Sequence, residues 1–259
     1  MKVSILIPVY NEFPTLPIVV QRVLAAELPV GCEKEVIIVD DGSTDGTAEL
    51  LKAYEGSLPV VVHRSSVNFG KGAALRNGIE RATGEILLVQ DGDLEYDPAD
   101  YRAVLEPIVS GSARVVYGSR FQRKPTGMKA ANRIANCILT RTANLLFGCA
   151  ITDEATAYKA FHREVLDGIR LRAVRFEFCP EVTAKLRRLG YTIFEVPISY
   201  NPRNIREGKK IRWWDGVQAM WTLLYYRFAP LKQFSVTPEH RTAKTSYPRV
   251  PGESKSRAT

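Results

Sequence analysis

The chain has 259 residues, 45% hydrophobic and 25% charged, an ordinary composition for a globular protein able to bury a sizeable core. A formal charge of +8 and a pI near 9.3 favour an acidic partner such as a nucleotide, a lipid phosphate or an anionic membrane. Cys32, Cys137, Cys149 and Cys179 form no CxxC pair and have no histidine at metal-ligand spacing, which argues against a cysteine metal site and points to buried thiols in a reducing compartment.

Residues 1–120 alternate in period. Lys2–Val9 (KVSILIPV) is a short β-branched apolar run and predicts a buried strand, and Thr15–Leu28 follows with helical spacing. Glu35–Val39 predicts a second strand, with a helix opening near the capping residues Thr44 and Asp45. Pro59–His63 predicts a third strand, Lys71–Ala82 a helix, Glu85–Val89 a fourth strand, Asp97–Val109 a helix, and Arg114–Tyr117 a return to strand. Strand–helix alternation with continuously apolar strands implies an α/β fold, a mostly parallel sheet with helices on both faces.

The second half is less regular. Residues 121–152 hold no acid, several cations and the apolar set Ile134, Ile138, Leu139, Leu145 and Leu146, which predicts one or two amphipathic helices. Glu177–Leu189 predicts a helix and Thr192–Val196 a strand, followed by a basic loop over Arg203–Arg212 and an aromatic helix over Trp213–Phe228. From Leu231 the chain is polar and aperiodic, so residues 229–259 are expected to form a disordered basic tail beyond a domain of residues 1–228. The N-terminus opens directly on a strand pattern, so no signal peptide is expected, and no apolar run approaches the ~20 residues that span a bilayer.

Polar clusters fall after three of the strands: Pro8–Glu12, Asp40–Ser43 and Asp91–Glu95. Ligands of parallel sheets bind beyond the carboxyl ends of the strands, so these acids are expected to converge on one crevice. Gathered carboxylates repel unless a cation neutralises them, and Mg2+ or Mn2+ does so while sharing its shell with substrate phosphates. Asp91 and Asp93, two apart with Gly92 between them, suit such an ion. Lys71, in a Gly70-Lys71-Gly72 turn, could touch a phosphate, although the P-loop spacing is absent.

The segments PVYNE (Pro8–Glu12), VDDGSTDGT (Val39–Thr47), NFGKGAALRNG (Asn68–Gly78), QDGDLEYDP (Gln90–Pro98) and YGSR (Tyr117–Arg120) resemble inverting family 2 glycosyltransferases of the GT-A fold. The resemblance covers roughly residues 1–228, and the nearest subgroup is the dolichol-phosphate or polyprenol-phosphate mannosyltransferases. It implies that residues 1–120 form the nucleotide-sugar half and residues 121–228 the acceptor and membrane-facing half. It further implies that Pro8, Tyr10, Glu12, Ile38 and Asp40 hold the base and ribose of the donor. Asp91, Gly92 and Asp93 would bracket the metal and the sugar diphosphate, with Glu95 as a further metal ligand. Arg120 would meet a phosphate, and Arg203 and Lys209 would contact donor or acceptor phosphates. Asp153 would orient the acceptor or assist catalysis; the subgroup pattern D-x-x-[ST]-G reads here with Ala157 after Thr156.

The implied reaction is metal-dependent transfer of a hexose from a nucleotide-diphosphate sugar to a polyprenyl or dolichyl phosphate, with GDP-mannose first and UDP-glucose second as donor. A lipid-phosphate acceptor is already an anion and needs no strong base, whereas a hydroxyl acceptor needs one. The helix over Trp213–Phe228 carries an apolar stripe at Trp213, Val217, Met220, Trp221, Leu224 and Phe228 and all three tryptophans, Trp213, Trp214 and Trp221. It is expected either to pack on the sheet or to lie on lipid, holding the protein peripherally at the cytoplasmic face of a membrane. The alternatives are a family 2 transferase acting on a soluble or polysaccharide acceptor and a non-catalytic nucleotide-sugar-binding protein. No nucleic-acid recognition motif is present.

Overall fold

The computed structural model describes residues 1–123, 127–203 and 213–236. Its centre is a seven-stranded sheet of β1 (Lys2–Val9), β2 (Glu33–Asp40), β3 (Val60–Arg64), β4 (Ile86–Val89), β5 (Val115–Ser119), β6 (Lys159–His162) and β7 (Phe194–Pro197), in the order β3-β2-β1-β4-β6-β5-β7. The pairs β1–β2, β2–β3, β1–β4 and β5–β7 are parallel; β6 alone runs antiparallel, between β4 and β5.

Period-2 alternation builds two cores from the same strands. Val3, Ile5, Ile7 and Val9 of β1, Val36 and Ile38 of β2, and Ile86 and Leu88 of β4 face one side. There they meet Leu16, Val19, Val20 and Val23 of α1 (Leu16–Ala25), Leu51 of α2 (Thr47–Leu51), and Val104, Leu105 and Ile108 of α4 (Tyr101–Val109). Leu6, Ile37, Val39, Leu87 and Val89 face the other side, against α3 (Lys71–Arg81), α6 (Arg163–Asp167) and α7 (Phe178–Arg188). The expected mostly parallel sheet with two covered faces is present. Each such buried aliphatic side chain contributes about 1.5–3 kcal/mol, so a one-residue slip of register would lose the whole set.

β6 was not expected. It is four residues long and carries Lys159 and His162, so neither length nor alternation marks it. With β7 it adds two strands from the second part of the chain to the sheet built by residues 1–120.

A third cluster joins α5 (Ala130–Phe147), α7 and α8 (Trp213–Phe228) through Ala143, Phe147, Ala184, Leu223 and Tyr226. The core-facing stripe of α8 is Ala219, Thr222, Leu223 and Tyr226, while Trp213, Val217, Trp221, Leu224 and Phe228 are exposed. The small Ala and Thr let α8 approach its neighbours and turn the large aromatics outward. Among the described residues no helix is long and apolar enough to cross a membrane.

Two expectations change. The domain does not end at 228: Ala229 and Phe234 are buried, the Arg170 amide donates to the Phe234 carbonyl at 2.8 Å, and Ile169 bridges Ser235. Apolar Phe234 inside an otherwise polar stretch supplies the anchor; residues 237–259 of the expected tail lie outside the described residues. The cysteines are free, but Cys137 is exposed on the outer face of α5 and Cys32, Cys149 and Cys179 are half-buried.

Candidate active site

The loops after β1 and β2 are tied together. Asn11 takes a left-handed conformation (φ 49°), which Asn tolerates better than most residues. Its amide donates to Ser43 Oγ at 2.9 Å and its Oδ1 accepts from the Thr44 amide at 2.7 Å. Asp40, at the end of β2, accepts from the Ser43 amide at 3.0 Å. Pro8 and Tyr10 are half-buried at the same edge. Ile38 is a correction: it is fully buried in the core opposite α1 and offers no side-chain surface to a ligand, because strand alternation turns it inward.

The Asp91–Glu95 segment follows β4 on the same edge, braced from behind by Gln90, whose Oε1 accepts from Tyr101 Oη at 2.7 Å and Tyr158 Oη at 2.6 Å. Thr15 stitches the segment to the β1 loop, donating to Glu12 Oε2 at 2.8 Å and to the Gly92 carbonyl at 3.1 Å.

Each carboxylate meets a cation brought from elsewhere. Lys71, the first residue of α3, places Nζ 2.5 Å from Asp91 Oδ1. Burial, the largest single influence, would lower the Lys71 pKa, but the charge and hydrogen bond of Asp91 together with the charges of Cys179 and Asp93 outweigh it and the net shift is upward. Arg203 donates to Asp93 and, at 3.1 Å, to Glu12 Oε2. Burial, with Asp91 adding to it, pushes Asp93 up to about 7 against the pull of Arg203. Asp93 is thus a carboxylate poised to accept a stronger positive charge.

Glu95 is engaged differently from the expectation. Its Oε1 accepts from the Arg203 amide at 2.9 Å and its Oε2 from Tyr200 Oη at 3.1 Å, so it holds the segment after β7. The bridge between Tyr96 and Tyr200 fixes it there. Among the described residues no three His, Cys, Asp or Glu side chains form a metal cage. Asp91 and Asp93 stand two apart just after β4, the kind of donor set from which Mg2+-type sites are commonly built, one or two carboxylates plus substrate phosphate.

Arg120 and Asp153 also depart from expectation. Arg120 Nε and Nη2 each donate to Asp153 at 2.7 Å, and the Arg120 amide adds a third bond at 3.0 Å. Asp153 is fully buried and Arg120 nearly so, with its guanidinium 5.0 Å from the Tyr200 ring centroid. Asp153 cannot touch an acceptor from there; it positions Arg120 and the strand end that carries it. The reason is proximity in the sheet: the β5 terminus and the segment entering β6 lie side by side. Lys209 lies outside the described residues.

Sequence reasoning missed three contributors. Asp41 is a clamp, accepting from the amides of Phe69 at 3.0 Å and Gly70 at 2.6 Å and so shaping the turn before Lys71. Lys159 is fully buried, its Nζ donating to the Glu154 carbonyl at 2.8 Å beneath the Tyr117 ring. Burial raises the pKa of neighbouring Glu154. The signal available was a lysine inside the apolar AYKAF run. The third is the segment 172–175, whose carbonyls lie against Gly70 and Gly72 so closely that a Cβ there would meet oxygen at 2.5 and 2.8 Å.

Comparison with known proteins adds to this geometry. A family model described as "Glycosyl transferase family 2" matches residues 4–170. Glycosyltransferase AglJ of Haloferax volcanii is 32% identical over 203 residues, covering 78% of this chain and 63% of AglJ. The undecaprenyl-phosphate 4-deoxy-4-formamido-L-arabinose transferase of Pseudomonas fluorescens is 33% identical over 184 residues, covering 69% of this chain and 52% of the relative. The chain thus spans between about half and two thirds of the length of these curated relatives. Among solved structures, glucosyl-3-phosphoglycerate synthase of Mycobacterium tuberculosis with UDP matches at a TM-score of 0.66 and 20% identity, covering 88% of this chain and 81% of that one. The same enzyme with Mn2+, UDP and phosphoglyceric acid matches at 0.67 and 23% identity, covering 88% and 79%. At that identity the likeness is one of fold, and it agrees with the expected GT-A architecture.

Proposed function

The chain belongs to glycosyl transferase family 2, and from that premise we propose that it transfers a hexose, mannose by preference, from a nucleotide-diphosphate sugar to a polyprenyl or dolichyl phosphate. The observation that carries this reading is the pairing of Asp91 with Lys71 and of Asp93 with Arg203 at one strand edge. Two carboxylates and two cations suit a divalent ion and a diphosphate bound together, the acids for the ion and the cations for phosphate oxygens.

Mg2+ or Mn2+ is the cofactor of this reading, held by Asp91 and Asp93. When bound it supplies charge neutralisation for the departing nucleoside diphosphate. The fold neighbour crystallised with Mn2+ or Mg2+ and UDP supports the choice. On arrival of the donor, Lys71 and Arg203 exchange carboxylate partners for phosphate oxygens, with Lys209 proposed to join them. Pro8, Tyr10, Glu12 and Asp40 border the base and ribose. At Gly92 the backbone lies close on the end of β1, where a Cβ would stand 3.3 Å from Val9 Cγ2 and 3.4 Å from the Pro8 carbonyl.

The displacement is direct and inverts the anomeric carbon. A phosphate acceptor supplies its own anionic oxygen, which agrees with Asp153 being taken up by Arg120 rather than facing the crevice. The lipid acceptor is supported by the relative named for undecaprenyl phosphate. It is further supported by the exposed Trp213, Trp214 and Trp221 of α8, which suit peripheral seating on the cytoplasmic face of a membrane.

The test is incubation of the protein with each nucleotide sugar, Mg2+ or Mn2+, and a polyprenyl phosphate, following label into the organic phase with Asp93→Ala as control. Label in the lipid that vanishes in the variant supports the reading and names the donor. Metal-dependent donor binding without lipid labelling removes the lipid acceptor and points to a soluble one.

A further inference from the structure

A groove of about 430 Å3 lies beside α8, lined by Arg175, Trp214, Asp215, Val217, Gln218 and Trp221. That volume is of small-molecule size. Its helical wall is a distinct stripe: Trp214, Val217, Gln218 and Trp221 recur at i, i+3, i+4 and i+7, whereas the core takes Ala219, Thr222, Leu223 and Tyr226. The aromatic wall is open, with Trp214 63% and Trp221 68% exposed.

The facing residue, Arg175, is carried by a segment that is firmly built. Glu181, itself buried, accepts from the amides of Arg172 at 2.8 Å and Ala173 at 2.6 Å, and also from Tyr226 Oη of α8 at 2.9 Å. Glu177 accepts from the Val174 amide at 2.7 Å. On its other side the segment is moulded onto the turn that carries Lys71: the Ala73 amide donates to the Val174 carbonyl at 2.9 Å. Arg175 Cγ lies 3.0 Å from where a Cβ on Gly70 would be. Arg175 thus lines the aromatic groove while its own segment packs on the turn that carries Lys71, the partner of Asp91. Asp215, the one acid in the wall, is engaged with a partner of its own.

We propose that this groove is the acceptor subsite and takes a single isoprenoid chain ending in a phosphate, the chain along Trp214, Val217 and Trp221 and the phosphate against Arg175. The assignment rests on the lipid-phosphate reading above and names the residues that would select it. A cationic guanidinium at one end and an aromatic slot along the rest complement an anionic head on an apolar stem, and a planar guanidinium can hold two phosphate oxygens at once. An uncharged isoprenol satisfies only half of it.

All three tryptophans of the chain lie at 213, 214 and 221, so intrinsic fluorescence reports on this groove. The experiment titrates the protein with farnesyl phosphate, farnesol and phosphatidylcholine vesicles, in wild type, Arg175→Gln and Val217→Arg. The expected result is a saturable emission change with farnesyl phosphate, at least tenfold weaker with farnesol and with Arg175→Gln, and absent in Val217→Arg. Metal-dependent binding of nucleoside diphosphate, measured by calorimetry, stays at the wild-type value in Val217→Arg and shows that this variant is folded. Unchanged farnesyl phosphate affinity in both variants, no saturable response, or an equal response to plain vesicles overturns the proposal. Transfer is read separately. Farnesyl phosphate binding without lipid labelling by the wild type defeats the lipid-acceptor reading and the acceptor role of the groove, and leaves the groove as an isoprenyl-phosphate site only. Lipid labelling with the KM for polyprenyl phosphate unchanged in both variants defeats the groove and leaves the transferase.

Discussion

The guanidinium of Arg120 and the carboxylate of Asp153 form a two-pronged buried pair, with Nε and Nη2 each 2.7 Å from an oxygen. Removing one partner strands the other in the interior, and breaking a buried pair costs about 3–5 kcal/mol. Asp153→Ala is therefore expected to lower the urea midpoint severely and Arg120→Lys to lower it as well, because an ammonium cannot reproduce the fork. A full loss of transfer by Asp153→Ala with wild-type stability would instead assign Asp153 to the chemistry.

Asp93→Asn is expected to behave in the opposite way. The site concentrates Asp91, Asp93 and Glu95, and losing one charge relieves repulsion while Arg203 keeps Glu12. Stability should remain within about 1 kcal/mol of wild type. Metal-dependent donor binding and transfer should fall by about two orders of magnitude or more, the usual scale for removing a group that stabilises a leaving charge. Calorimetry with a nucleoside diphosphate, with and without Mn2+, measures it.

Gly70 and Gly72 flank Lys71 where segment 172–175 is packed hardest. Gly70 has φ 109° and a Cβ would meet the Val174 carbonyl at 2.5 Å. Gly70→Ala is expected to cost about 1–3 kcal/mol through strain and overpacking and to displace Lys71 from Asp91. Gly56, which has open space around it, is the control: Gly56→Ala meets no neighbour, carries only its φ of 76°, and leaves donor binding intact.

Glu35 gives a stability signature in acid. Burial would raise its pKa, but bonds from Ser4, Thr83 and Lys2 outweigh it and hold it at about 2 against an ordinary 4.5. The unfolded chain binds the proton first, so the stabilisation is fully present above pH 4.5 and is lost as pH falls toward 2. Glu35→Gln is expected to be less stable at neutral pH by about 1–3 kcal/mol, the cost of leaving buried donors unmatched. The gap between wild type and variant should close across that acid window; a constant gap would rule out the carboxylate as its source.

The outward aromatics of α8 give a surface prediction. Trp213 and Phe228, 76% and 80% exposed, lie off the groove. Replacing both with Ser is expected to reduce sedimentation with anionic vesicles by about tenfold or more, since aromatic residues seat at the bilayer interface. Unfolding should change little, because neither side chain belongs to the core.

Much of the fold was legible because burial writes itself into sequence periodicity. β1, β2 and β4 are continuous apolar runs, since both faces of each strand are covered. β6 was not legible, because a four-residue strand holding a buried lysine has the composition of a loop. Phe234 was hidden in the same way, a single anchor inside a polar stretch.

For the site, the sequence by itself determined where the acids would gather. Strand ends on one edge of a parallel sheet are neighbours, so Glu12, Asp40, Asp91 and Asp93 had to share a crevice. Only the tertiary structure decided which cation each acid meets: Arg203 reaches Asp93 across 110 positions, and Arg120 reaches Asp153 across 33. It likewise turned Ile38 into the core and bound Glu95 to Tyr200. Local pattern encodes which residues face the core or the strand end. Partner choice between charged groups depends on chain segments that meet only after the sheet has closed.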